Sequence, residues 1–196
     1  VRSTLASVWA ADFKKFAPHL RISIARADNR EKAFDVDADV YITNHDAVKW
    51  LVKQPKGFFT GFRELVVDES DAYKHYTSQR SRAMLKISKH FEYRAALSAT
   101  PDTNSIVDIW HQILILDEGK RLGNLFFPFR NSVATPHQVG RSQHAIEWRV
   151  AKLSECARDV LLGVHRESRM MLRKALAIGV GRVFFLQARA VRQHDA

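Results

Sequence analysis

The chain has 196 residues, of which 46% are apolar and 27% charged, enough to build one domain with its own core. No apolar run reaches the ~20 residues of a membrane-spanning helix, since "GVGRVFFLQA" is broken by Arg182, and the start "VRSTLASVWAADF" has no signal-peptide apolar core. The net charge of +10 points to a polyanionic partner, nucleic acid before membrane.

Cysteine and histidine usage narrows the chemistry. The single Cys156 excludes an intramolecular disulfide, fits a reducing interior and reads as a packed thiol. The nine histidines are scattered without metal-ligand spacing, which argues against a zinc site. Val1 is not an initiator methionine, which implies a processed chain or a piece of a longer one.

In chain order, residues 3–17 predict an amphipathic helix, with Leu5, Val8, Trp9, Phe13 and Phe16 recurring three and four apart and Pro18 ending it. Residues 20–26 alternate as a strand, 27–39 read as a polar loop, and 39–44 as a short β-branched strand. A helix over "HDAVKWLVK" follows, and "QPKGFFTG" carries turn signals. Leu65, Val66 and Val67 form a continuous apolar run, as expected of a parallel strand covered on both faces. Residues 78–91 predict a helix with Met84, Ile87 and Phe91 inward, and 93–101 a strand stopped by Pro101. "SIVDIWHQILIL" predicts a helix from 105 to 116 with Ser105 and Asp108 as a capping box. Alternating strands and helices imply a doubly wound parallel sheet, whose ligands sit at the carboxyl ends of the strands. Asp68, Glu69, Ser98 and Thr100 fall at such ends.

The abrupt passage from a buried strand to three carboxylates, Asp68, Glu69 and Asp71, has two readings. One is an acidic turn. The other is a site for a hydrated Mg²⁺ shared with nucleotide phosphates, with a neighbouring acid to orient or deprotonate a water.

"LVVDESDAYKH" and "ALSATPDTN" together resemble motifs II and III of superfamily II helicases, and the finer pattern resembles the Swi/Snf branch, including phage and bacterial homologues. Lys74 after the acidic motif, "SQRSRAML", "ATPDTNSIVDIW" with Asn104 and "ILDEGKRLGNLFFPFR" carry that finer likeness. "LASVWAADFKKFAPHLRI" resembles the motif Ia region and "DVYITNHDAV" the motif Ib region, so the resemblance spans roughly residues 3–149.

The resemblance implies an α/β, RecA-like lobe with a parallel sheet flanked by helices. It implies that Asp68 coordinates Mg²⁺ through water, that Glu69 polarises the attacking water, and that Asp71 contacts the motif III region. Ser98, Ala99 and Thr100 would couple nucleotide state to nucleic acid, and Thr43, Asn44, Lys74 and Asn104 would lie near its backbone. ATP and Mg²⁺ are the implied cofactors and double-stranded DNA the implied partner. The implied compartment is the cytoplasm, or the host's cytoplasm for a phage protein.

The phosphate-cradling string G-x-x-x-x-G-K-S/T does not occur in the chain; "GKRL" at 119–122 lacks the preceding glycine and the hydroxyl residue. The resemblance places that loop before Val1 and a second RecA-like lobe after the C-terminus, leaving 1–149 as an incomplete lobe and the isolated chain without activity. Residues 150–196 carry nine Lys and Arg against four Asp and Glu, +5 of the +10. The spacing of Ile146, Val150, Leu153, Ala157, Val160 and Val164 predicts a basic, mainly helical tail packed on the lobe. Two rival readings stand beside the motor: a non-catalytic nucleic-acid-binding or interaction module that keeps the lobe, and an unrelated nucleotide-binding α/β protein.

Overall fold

The computed structural model describes residues 5–98, 105–139, 146–150 and 182–187. Four strands follow one another along the chain: β1 (Ile22–Ala25), β2 (Val40–Asn44), β3 (Phe62–Asp68) and β4 (Tyr93–Leu97). Two more, β5 (Ala134–Gln138) and β6 (Ile146–Val150), form an antiparallel pair, and β7 (Arg182–Gln187) returns to the main sheet. The main sheet runs β1-β2-β7-β3-β4, all its pairings parallel.

Sequence explains why the interior strands are interior. Val40, Tyr41 and Ile42 are fully buried, and Leu65, Val66 and Val67 nearly so. Strands apolar on successive residues require cover on both faces. Helix α1 (Leu5–Phe16) supplies one cover, through Phe13 packed with Val40, Ile42 and Val66. On the other face α3 (Val48–Leu51) and α4 (Gln79–Ser88) bring Leu51, Met84 and Ile87 against Tyr41, Leu65 and Val67. Ser78 caps α4, its hydroxyl accepting the Ser81 N–H at 3.1 Å. A separate cluster joins α5 (Ile109–Asp117) to α6 (Phe126–Val133) through Trp110, Ile113, Phe129 and Val133.

Four expectations are corrected. The polar segment 27–39 contains a helix, α2 (Arg30–Asp35), because Phe34 finds partners: it stacks on Tyr41 at 5.4 Å and on Trp50 at 5.7 Å. The capping box of Ser105 and Asp108 does not form. Ser105 makes no side-chain cap, and Asp108 turns its carboxylate to Lys74 instead, an attraction stronger than a second bond to a backbone N–H. Ile146 and Val150 belong to a strand, since β5 offers them a complete ladder that an isolated helix lacks.

The largest correction concerns the tail. Residues 182–187 are no part of a helical appendage: β7 pairs with β2 on one side and β3 on the other. The reading of residues 151–181 as helix lies outside the described residues.

Candidate active site

Parallel pairing in one direction collects the carboxyl ends of four strands along one edge. Asn44 of β2 is level with Gln187 of β7, and Asp68 of β3 is level with Leu97 of β4, so Ser98 follows directly beside Asp68. The two stretches that resemble motifs II and III, thirty residues apart in sequence, are thereby neighbours.

The acidic turn departs from β3 through Glu69, whose φ of 49° and ψ of 58° place it in the left-handed region. A side chain there costs about 1–2 kcal/mol and marks a turn held by its surroundings. The conformation swings the chain into a 3-10 turn, Ser70–Tyr73, leaving the Glu69 side chain exposed at the edge and Asp68 half-buried. Partial desolvation first, then the neighbouring charges of Asp68 and Asp71, push the Glu69 carboxyl above the usual carboxylate range. Among the described residues, no Lys or Arg forms an ion pair with Asp68, Glu69 or Asp71. Three carboxylates within four positions that no described Lys or Arg neutralises are suited to an external cation. Replacing Glu69 by Gly removes the left-handed strain and the crowded charge together. Glu69→Gly is therefore expected to raise stability by about 0.5–1 kcal/mol in urea unfolding, after allowing for the greater freedom of unfolded glycine.

The turn is anchored from several sides. Asp68 Oδ1 accepts its neighbour Glu69 N–H at 3.1 Å, and Oδ2 accepts the Trp9 indole N–H at 3.0 Å. The Asp68 carbonyl oxygen lies 2.8 Å from His45 Nε2, which must carry the hydrogen because a carbonyl only accepts. The His45 ring also packs on Tyr73, 4.9 Å between centroids. Helix α5 grips the other side. Ser70 Oγ donates to Gln112 Oε1 at 2.6 Å, both residues buried, and His111 Nδ1 donates to the Tyr73 carbonyl at 2.7 Å. Lys74 Nζ stands 3.3 Å from Asp108 Oδ2, each side chain 13% exposed.

His111 is buried, and desolvation lowers its pKa, only partly opposed by its bond to Tyr73. A histidine whose folded pKa is depressed contributes stability that is full above its unfolded value of about 6.5 and is lost as pH falls toward the folded value. Glu64 and Glu69, both pushed up by burial, act in the opposite direction. His111→Gln is therefore expected to flatten the acid-side fall of the urea midpoint between about pH 6.5 and 5 relative to the unsubstituted chain. An unchanged pH slope would contradict a neutral buried His111.

The expected nucleic-acid contacts divide. Thr43 is buried, its Oγ1 donating to the Ala25 carbonyl at 2.7 Å, so its hydroxyl ties β2 to β1 rather than reaching outward. Lys74 is turned inward onto Asp108. Asn44 is half-buried and caps the 3-10 turn His45–Ala47, accepting the Ala47 N–H at 3.2 Å. Ser98 is half-buried at the end of β4. Ala99, Thr100 and Asn104 lie outside the described residues. Sequence reasoning missed Trp9, His45, Ser70, His111 and Gln112. Trp9 looked like one more core position on an apolar helix face, and the only hint was that a buried indole N–H needs an acceptor.

The model of the SNF2-related domain matches residues 1–190. The chain belongs to the SNF2-related domain family. It is a Swi/Snf-like lobe of the superfamily II helicases. Over 97 residues, 47% of the chain, it is 32% identical to 21% of protein p41 of Acyrthosiphon pisum secondary endosymbiont phage 1. Over 117 residues, 56% of the chain, it is 28% identical to 11% of an uncharacterised ATP-dependent helicase of Mycoplasma genitalium, with a second such helicase, from Mycoplasma pneumoniae, 26% identical over the same length and share. The matches thus span about a fifth or less of these relatives. Among solved structures, the Sulfolobus solfataricus SWI2/SNF2 ATPase core in complex with dsDNA superposes with a TM-score of 0.51 over 96% of this chain and 32% of that one, at 19% identity. That likeness concerns the fold, and the match reaching residue 190 agrees with β7 as part of the SNF2-related lobe.

Proposed function

We propose that this lobe forms the acidic half of the ATP site of a Swi/Snf-type translocase that moves along double-stranded DNA, and that the chain alone does not turn over ATP. The observation that carries the reading is the placement of Asp68, Glu69 and the start of the motif III segment on one sheet edge, with no ion pair to the carboxylates from a Lys or Arg among the described residues. Mg²⁺ bound with ATP would neutralise charge developing on the transferred phosphate.

The chain's own contribution is positional. Asp68, fixed at the strand end, presents a carboxylate for water-mediated metal contact. Glu69, held exposed by its left-handed backbone and raised in pKa, is placed to accept a proton from a water. Asp71 and Ser98 flank the same edge, and the segment from Ser98 through Ala99 and Thr100 to Asn104 connects that edge to α5, whose side chains grip the acidic turn. This continuity supports coupling between the nucleotide end and a DNA contact formed by Asn44 and the motif III loop. The phosphate-cradling loop and a second lobe are contributed from outside these residues.

The net charge of +10 also suits a second reading, a nucleic-acid-binding module without hydrolysis. One pair of measurements separates the readings from a coincidence of motifs. Anisotropy of a labelled DNA duplex should show affinity falling steeply between about 50 and 200 mM salt. A phosphate-release assay with the same duplex should show no turnover. A flat salt dependence would remove the nucleic-acid assignment, and DNA-stimulated hydrolysis would overturn the inactivity of the isolated chain.

A further inference from the structure

We propose that Trp9 is a positioning residue for Asp68: its indole N–H fixes the orientation of the carboxylate at the end of β3 and leaves its charge for a divalent cation. The inference rests on the nucleotide-site reading above and names a residue that this reading does not include.

Asp68 is held at three points. Its carbonyl faces His45 at 2.8 Å, Oδ1 accepts the Glu69 N–H at 3.1 Å, and Oδ2 accepts the Trp9 Nε1–H at 3.0 Å across 59 residues of sequence. A carboxylate oxygen has two lone pairs, so each oxygen keeps one for another partner. The identity of the donor matters. An Arg or Lys at this place would orient the carboxylate and also cancel its charge. An indole N–H orients it, carries no charge, cannot accept a proton and has no flexible stem. Trp9 is itself braced, half-buried on α1 beside Phe13, with ring centroids 6.4 Å apart, against the cluster that contains Val66. Val66 lies two residues before Asp68 on the same strand face, so α1 packing and carboxylate orientation share one support. Hydrogen-bond partners that orient a metal-binding carboxylate commonly change metal affinity by about 10–100-fold when removed.

The chain contains four tryptophans, Trp9, Trp50, Trp110 and Trp148, so ¹⁵N labelling of the indoles of the full 196-residue chain gives a short, assignable spectrum. Trp9→Phe keeps a ring and identifies the Trp9 signal by its loss. Asp68→Asn, equal in shape, is expected to move that signal while the other three stay in place and report an intact fold. MnCl₂ is expected to broaden the Trp9 signal before the others, and to lose that preference in Asp68→Asn. Water-proton relaxation is expected to show Mn²⁺ binding about 10-fold weaker in Trp9→Phe.

A Trp9 signal indifferent to Asp68→Asn overturns the pair. Undiminished Mn²⁺ affinity in Trp9→Phe, with loss in Asp68→Asn, overturns the positioning role and leaves an indole merely satisfied. A signal that depends on Asp68 but is untouched by Mn²⁺ overturns the cation reading of the site instead, so the two failures are distinguishable.

Discussion

A chain ending at Val150 is expected to lose its cooperative unfolding transition, although every stretch that resembles a helicase motif lies before that point. The reason is the place of β7. It pairs five residues with β2 and five with β3, so its removal leaves two buried strands with open ladders facing each other across a missing member. Each ladder bond contributes about 1 kcal/mol net, and an orphaned buried backbone group costs about 1–3 kcal/mol more. Losing two such ladders exceeds the 5–15 kcal/mol that stabilise an ordinary domain. Circular dichroism during urea titration should show a broad, non-cooperative slope for the truncated chain and a sigmoidal transition for the full one. A cooperative transition after truncation would mean that β2 and β3 can close on each other without β7.

The second large effect is expected at Lys74. With its ammonium 3.3 Å from Asp108 and both side chains mostly covered, Lys74→Met removes the cation from a carboxylate that has little solvent. The expected loss is about 3 kcal/mol. Asp108→Leu removes the counter-charge of the ammonium in turn and takes a negative charge from the start of α5, where the helix dipole favours one. The double variant should be less destabilised than the sum of the two, because two apolar groups can share the space that two charges shared. The coupling energy is read from urea midpoints of the four chains. If Lys74→Met alone shifts stability by under about 0.5 kcal/mol, the pair behaves as a surface ion pair and Lys74 returns to consideration as a nucleic-acid contact.

These two predictions concern the same structural fact from opposite ends. The acidic turn is clamped between α1 and His45 on one side and α5 on the other, and the sheet beneath it depends on a strand far along the chain. A shift of α5 would reach the turn through Ser70, Tyr73 and Lys74 at once. Rigid support of this kind lets Glu69 remain in a strained backbone conformation.

Much of the architecture was legible in the sequence, wherever a pattern depends on neighbours in the chain. The apolar run at Leu65–Val67 and the β-branched run at 40–44 announced buried parallel strands, and their polar ends, Asp68 and Asn44, marked the carboxyl edge of the sheet. The carboxylates Asp68 and Glu69 stand out in the sequence because their residue types, paired with the segment around Ser98, are those a metal and water site needs.

What the tertiary structure alone decided depends on partners distant in sequence. Thr43 and Lys74 have the composition of nucleic-acid contacts, yet a carbonyl of β1 and a carboxylate of α5 claim them. Trp9, His45 and Gln112 look like ordinary core residues until the fold brings each against the acidic turn. The "RVFFLQ" of β7 has the residues of a strand, but it earns a central position only because β2 and β3 leave room for one more ladder. Hydrophobic period and residue chemistry are local properties, and a sequence displays them directly. Which donor meets which acceptor, and which strand fills which gap, is decided by packing, where every polar group that loses water must find its replacement wherever the chain brings one.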